Sequence, residues 1–197
     1  METVWKIKQL TADEQGAAER LSGDLDISPL AGRILASRGI RTAAEARAYI
    51  RPTLDSLHDP FLMRDMTAAV NRLEQAIDRH ERIMVYGDYD VDGTTAVALM
   101  YSFLHSLTDN LIYYIPDRYR EGYGISKEGI DTAKREGCTL VIALDCGIKA
   151  VDKIAYANNL DIDFIICDHH TPGEEIPKAV AVLNMKRSDC PYPYKEL

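Results

Sequence analysis

Five short apolar runs punctuate the chain from residue 83 onward: Ile83–Tyr86, Leu111–Ile115, Leu140–Leu144, Phe164–Cys167 and Val180–Leu183. Each is continuous rather than alternating, the pattern of strands covered on both faces. Between them lie segments with helical spacing. Ala96, Val97, Met100, Phe103, Leu104 and Leu107 recur at three- and four-residue intervals, a second helix runs from Ser126 to Glu136 before Gly137, and Val151, Ile154 and Ala155 mark a third. Strands alternating with helices predict an α/β fold with a mostly parallel sheet, and right-handed crossovers bring the strand ends to one side.

The first eighty residues carry helix signals without strands. Thr11-x-x-Glu14 and Thr42-x-x-Glu45 match the capping box, while Ser28-Pro29 opens a helix with Leu30, Ile34 and Leu35 on one face and Gly39 as its stop. Pro52 and His58-Asp59-Pro60 separate these short helices from one starting near Asp65, whose stripe is Val70, Leu73 and Ile77. Residues 1–65 therefore read as a helical N-terminal appendage and residues 66–197 as the α/β domain.

At 197 residues and 46% hydrophobic composition the chain can bury a substantial core. It has no apolar run long enough for a membrane span, and Met1–Lys8 lacks the apolar region of a signal peptide, so the expectation is a soluble, cytoplasmic chain with no membrane partner. Cys138, Cys146, Cys167 and Cys190 lack paired spacing, which favours neither a disulfide framework nor a zinc knuckle. A net charge of −8 disfavours non-specific nucleic-acid binding over the whole surface. It leaves room for a local phosphate site, because cations bound among carboxylates invert the local potential.

Candidate chemistry collects at the strand ends. The run ending at Tyr86 leads through Gly87 to Asp88, Asp90 and Asp92; Leu144 leads directly to Asp145, and Cys167 to Asp168, His169 and His170. Carboxylates crowded at the C-terminal edge of a parallel sheet repel one another unless a cation lies among them. There are ligands enough for two divalent ions, which would activate water and neutralise phosphoryl oxygens. Oxygen ligands suit magnesium, and histidine makes manganese the more comfortable occupant. The competing readings are a solvated acidic turn and structural histidines bonded to carboxylates. The loop Asp117–Gly124 divides similarly: Arg118 or Arg120 faces a phosphate, or Asp117 and Glu121 satisfy the arginines locally. Neither a Gly-x-Gly-x-x-Gly fingerprint nor a P-loop is present, and no histidine is placed by local sequence to serve Cys146, Thr94 or Thr95 as a nucleophile.

Gly87-Asp-Tyr-Asp-Val-Asp-Gly93, Asp145-Cys-Gly147 and Asp168-His-His170, in that order, resemble the first three motifs of the DHH phosphoesterase superfamily. Pro116-Asp-Arg118, Glu121-Gly-Tyr-Gly124 and the segment from Asp189 to Leu197 narrow the resemblance to the bacterial single-strand-specific exonucleases of that superfamily. It extends back through Ser28-Pro-Leu30 and Arg38-Gly-Ile40. The resemblance implies a Rossmann-like DHH-domain sheet and a two-metal 5′-to-3′ exonuclease that uses Mn2+ or Mg2+ on single-stranded DNA in recombination and repair, with repair proteins as further partners. It implies Asp90 and Asp92 as metal ligands, Asp145 as a shared ligand and His169 as a ligand to one ion. Asp88 organises or completes the set, Asp168 orients the histidines, His170 binds metal or holds the scissile phosphate, and Arg118 is the better placed arginine for substrate.

Met185 after Asn184 departs from the family pattern, in which proline is common. The resemblance also makes residues 66–197 a partial DHH domain that stops before a fourth metal-binding motif, so the expectation is manganese binding with weak hydrolysis by this stretch alone. Two alternatives stand beside the exonuclease. One is another DHH enzyme acting on short oligonucleotides, cyclic dinucleotides or pyrophosphate; the other is a regulatory or protein-interaction module with a vestigial metal centre.

Overall fold

The computed structural model describes Val4 and residues 6–195; Glu196 and Leu197, which end the family-like C-terminal segment, lie outside the described residues. The chain forms two compact units that divide between Leu57 and His58, rather than near residue 65 as the helix pattern suggests. The intervening turn Pro60–Leu62 packs on the helix that follows it.

In the first unit, α1 (Ala12–Leu25), α2 (Pro29–Ser37) and α3 (Ala43–Ile50) form where the caps place them. Both capping boxes close, and Ser28 accepts a hydrogen bond from the Ala31 amide with Pro29 opening α2. The face of α2 differs from expectation. Leu35 is buried, but Leu30 and Ile34 are 67% and 49% exposed, and Gly32 and Ala36 are buried instead. A Cβ on Gly32 would lie 2.5 Å from the Ala18 carbonyl oxygen, so α1 and α2 meet backbone to backbone along small residues. That seam leaves the larger side chains outside.

The second unit is a three-layer α/β/α structure. Its strands are β1 (Arg82–Gly87), β2 (Leu111–Tyr114), β3 (Cys138–Leu144), β4 (Asp163–Cys167) and β5 (Ala181–Leu183), all parallel in the order β2-β1-β3-β4-β5. One face is covered by α4 (Met66–Asp78) and α5 (Val91–His105), through Ala69, Ala76, Val97 and Leu104. The other is covered by α6 (Lys127–Arg135) and α7 (Val151–Asn158), through Ile130, Ala133, Ile154 and Ala157. Phe103 and Leu107, which the helical period assigns to the core, are 59% and 52% exposed. α5 is apolar around much of its circumference and the sheet covers only one side, which leaves Phe103 outside; Leu107 lies in the turn beyond its end.

All four cysteines are free thiols. Burial raises the Cys138 thiol to about 11 and the Cys167 thiol to about 12, so both pack as small hydrophobes. No helix among the described residues is long and apolar enough to cross a membrane.

The last strand is tied down by a buried cation. Arg187 donates to Asp65 and to the Val182 carbonyl, each at 2.7 Å, and grips both oxygens of Asp189 at 2.9 Å. Asp65 also accepts the Val182 amide at 3.2 Å, so one arginine joins the start of α4, β5 and the chain beyond. Arg187→Ala removes the buried donor that Asp65, Asp189 and the Val182 carbonyl share, leaving Asp65 with the Val182 amide and Asp189 with Arg64, and is expected to lower stability by about 2 kcal/mol. Urea unfolding followed by circular dichroism reads the shift, and Arg187→Lys, which cannot make the planar bidentate grip, should recover only part of it.

Candidate metal centre

Strand register assembles the site. Gly87 pairs with Leu144, and Leu144 with Cys167, so the next residues of β1, β3 and β4 stand in one row at the C-terminal edge of the sheet. Those residues are Asp88, Asp145 and Asp168, all buried. Their carboxylates have different surroundings.

Asp168 is committed to hydrogen bonds. Oδ2 accepts the Ile148 amide at 2.9 Å, while Oδ1 accepts the His170 amide at 3.0 Å and lies 2.8 Å from His170 Nδ1. With Nδ1 protonated toward Asp168, His170 Nε2 accepts from the Tyr123 hydroxyl at 3.1 Å. Asn184, fully buried, donates to the His170 carbonyl at 2.8 Å. His170 is therefore held from both its ring and its backbone.

Asp145 is not committed. Its backbone amide bonds the Cys167 carbonyl, and its φ of 59° places a non-glycine residue in the left-handed region, a conformation aspartate tolerates better than most. His169 Nε2 lies 3.0 Å from Asp145 Oδ1, yet that buried oxygen has no hydrogen-bond partner. The two atoms converge without being aligned to share a proton. Burial raises the Asp145 carboxyl above its ordinary value, with repulsion from Asp92 and Asp90 adding to the effect and the two histidines opposing it. His169 Nε2 also lies 3.6 Å from Asp92 Oδ2, and Asp145, His169 and His170 each offer a ligand atom within 4.8 Å of the others.

The acidic loop splits by role. Asp90 caps α5, its Oδ1 accepting the Gly93 amide at 3.0 Å, whereas Asp92 stands in the first helical turn facing His169. Asp88 lies beneath them with no exposed surface: Oδ1 accepts the Gly124 amide at 3.3 Å, and buried Oδ2 has no partner. Two orphaned carboxylate oxygens at one sheet edge fit a cation far better than they fit a closed hydrogen-bond network. The structure thus gathers Asp92, Asp145, His169 and His170, with Asp88 below and one oxygen of Asp90 occupied by the helix.

In the following loop, Asp117 and Glu121 bond backbone amides, Tyr114 and Ser126 rather than arginines. No carboxylate pairs with Arg118 or Arg120 among the described residues; the Arg118 guanidinium lies 5.3 Å from the Tyr89 ring centre, and Tyr89 meets Tyr123 edge to face. Sequence pattern does not single out Tyr123 or Asn184 as parts of this site. A tyrosine in a glycine-flanked loop is the visible signal for the first, but its partner lies 47 residues away. Met185 lines a depression of about 400 Å³ with Met63, Asp92, Asp145 and His169.

Residues 82–192 match the model of the DHH family, N-terminal domain, and the chain belongs to that family. Among its relatives, the single-stranded-DNA-specific exonuclease RecJ of Bacillus subtilis (strain 168) is 40% identical over 98% of this chain and 24% of that protein. The protein of the same name from Salmonella typhimurium is 37% identical over 96% of this chain and 32% of its own length. Two solved structures agree. Exonuclease RecJ bound to manganese has a TM-score of 0.61 and 29% identity, with coverage of 68% of this chain and 34% of that one. RecJ from Thermus thermophilus in complex with Mn2+ has a TM-score of 0.64 and 26% identity, with coverage of 89% of this chain and 24% of that one. The chain spans about a quarter to a third of the length of these relatives.

The acidic loop depends on a close approach. A Cβ on Gly93 would lie 2.5 Å from the Asp88 carbonyl oxygen and 2.6 Å from its amide nitrogen, both immovable backbone. Gly93→Ala is therefore expected to displace Asp90 and Asp92 and weaken Mn2+ binding at least about tenfold, while circular dichroism keeps its α/β signature. Calorimetric titration of the variant checks this.

Proposed function

We propose that this chain carries the metal centre of a 5′-to-3′ exonuclease that hydrolyses single-stranded DNA in repair and recombination. The observation that carries the reading is the convergence of unpartnered Asp145 Oδ1 on His169 Nε2 at the edge where buried Asp88 Oδ2 is also unpartnered. The reading is supported by relatives of the chain named single-stranded-DNA-specific exonucleases, and by two similar solved structures that hold manganese.

Asp92, Asp145 and His169 would hold one divalent ion, and Asp88 and Asp90 would complete the set or hold a second. Such ions, Mn2+ or Mg2+, supply water activation and neutralise charge on the phosphoryl oxygens. The protein's own groups supply placement. Asp168 fixes the tautomer and orientation of His170, whose Nε2 accepts the Tyr123 hydroxyl proton; an arriving phosphate would take over that proton, with the hydroxyl turning from His170 to the substrate oxygen. The Tyr123 hydroxyl stays protonated, because desolvation and the charges of Asp88, Asp168 and Asp145 raise its pKa. Arg118, free of any carboxylate among the described residues and lying over Tyr89, would reach a second phosphate of the strand.

Two measurements test this reading. Asp145→Asn should reduce Mn2+ affinity of the chain at least about tenfold and abolish whatever cleavage of 5′-labelled single-stranded DNA it shows, since a neutral amide replaces the least committed carboxylate. Wild-type Mn2+ binding by Asp145→Asn would remove the metal centre. Arg118→Ala should leave Mn2+ affinity unchanged, weaken single-stranded DNA binding about three- to tenfold and lower the salt slope by about one.

A further inference from the structure

Beside His170 lies a cavity of about 350 Å³, bounded by Tyr123, Ile125, Ile148, Val151, Lys149 and Lys153. Its walls are mainly apolar. Lys153 is half-buried and Lys149 exposed, and neither side chain has a carboxylate partner or a hydrogen bond among the described residues. Asp152 and Asp168 also border the space, but Asp168 is consumed by Ile148 and His170. The start of α7 at Ala150 has no side-chain cap, so its first amides add donor character to the same wall. Set against the single free carboxylate of Asp152, the two unpaired lysines leave this wall the cationic side of an otherwise acidic region, which suits an anion.

We propose that this cavity is a nucleotide subsite. It takes the nucleotide adjoining the scissile bond, with its phosphate on Lys149 and Lys153 and its sugar and base against Ile125, Ile148 and Val151. Tyr123 joins the two regions, bonded to His170 on one side and lining the cavity on the other. The volume suits one nucleoside, near the lower end of the usual range for small-molecule sites of about 300–1,000 Å³. A strand lying across the site would then be gripped one nucleotide away from the metal centre without adding positive charge among the ligands themselves. The subsite rests on the phosphodiester reading of the metal centre, and it adds to that reading the residues that bind the neighbouring nucleotide.

The test is calorimetric titration of the Mn2+-loaded chain with thymidine 5′-monophosphate, thymidine and inorganic phosphate. The monophosphate should bind more tightly than either component. Lys149→Ala/Lys153→Ala should weaken it about tenfold or more while Mn2+ affinity holds, as expected for two charged donors on one phosphate. Val151→Trp, which fills the cavity without changing charge, should weaken both monophosphate and thymidine. Lys178→Ala/Lys186→Ala removes two exposed charges elsewhere on the same unit and should change binding less than twofold. Equal monophosphate binding by the Lys149/Lys153 variant and wild type, or an equal loss in the Lys178/Lys186 control, overturns the subsite. Failure of the wild-type chain to bind Mn2+ would instead overturn the proposed function.

Discussion

The backbone of Gly93 lies against the backbone of Asp88 with no space for even one side-chain carbon between them. Much of the second unit's chemistry depends on that contact. Because the first turn of α5 can settle directly onto the exit of β1, Asp90 reaches the helix amides as a cap and Asp92 is carried to the edge facing His169. Gly87 belongs to the same constraint: a Cβ there would meet Val97 at 2.3 Å and the Gly93 carbonyl oxygen at 2.8 Å. Two glycines thus permit one strand-to-helix turn to present its acids toward neighbouring strands.

The acids that result are differentiated by hydrogen bonding. Asp168 is saturated and acts on His170; Asp90 is half occupied by its helix; Asp88 and Asp145 each keep a buried oxygen without a donor. A set of equally solvated carboxylates would hold a cation loosely and rearrange around it. Here the backbone has taken the excess acceptor capacity and left specific oxygens free, which is preorganisation for an ion.

Local pattern made much of this legible. Continuous apolar runs placed the five strands, and an acid directly after each of β1, β3 and β4 gave one row of carboxylates at the sheet edge, because parallel register converts similar positions in sequence into neighbours in space. What pattern missed depends on tertiary pairing. The α2 face turned out small rather than large because Gly32 lets two helices touch; Phe103 remained outside because a helix apolar on several sides has only one sheet to cover it, and Leu107 because the helix ends at His105, before it. Tyr123 and Asn184 join the site through bonds to His170 that no local spacing encodes. Asp117 and Glu121, adjacent in sequence to two arginines, satisfy backbone amides and other side chains instead, a choice made by loop geometry.

The all-parallel sheet has a consequence for how the molecule is born. Parallel neighbours cannot be joined by a tight turn, so β1, β3 and β4 meet only after long crossovers have closed, and such non-local pairings form late and slowly. The row formed by Asp88, Asp145 and Asp168 has no precursor in any single hairpin or helix. A divalent ion therefore has little to recognise in a half-folded chain and would engage after the central strands have paired. It would act on the unfolding rate more than on the folding rate, holding closed a structure it had no part in nucleating.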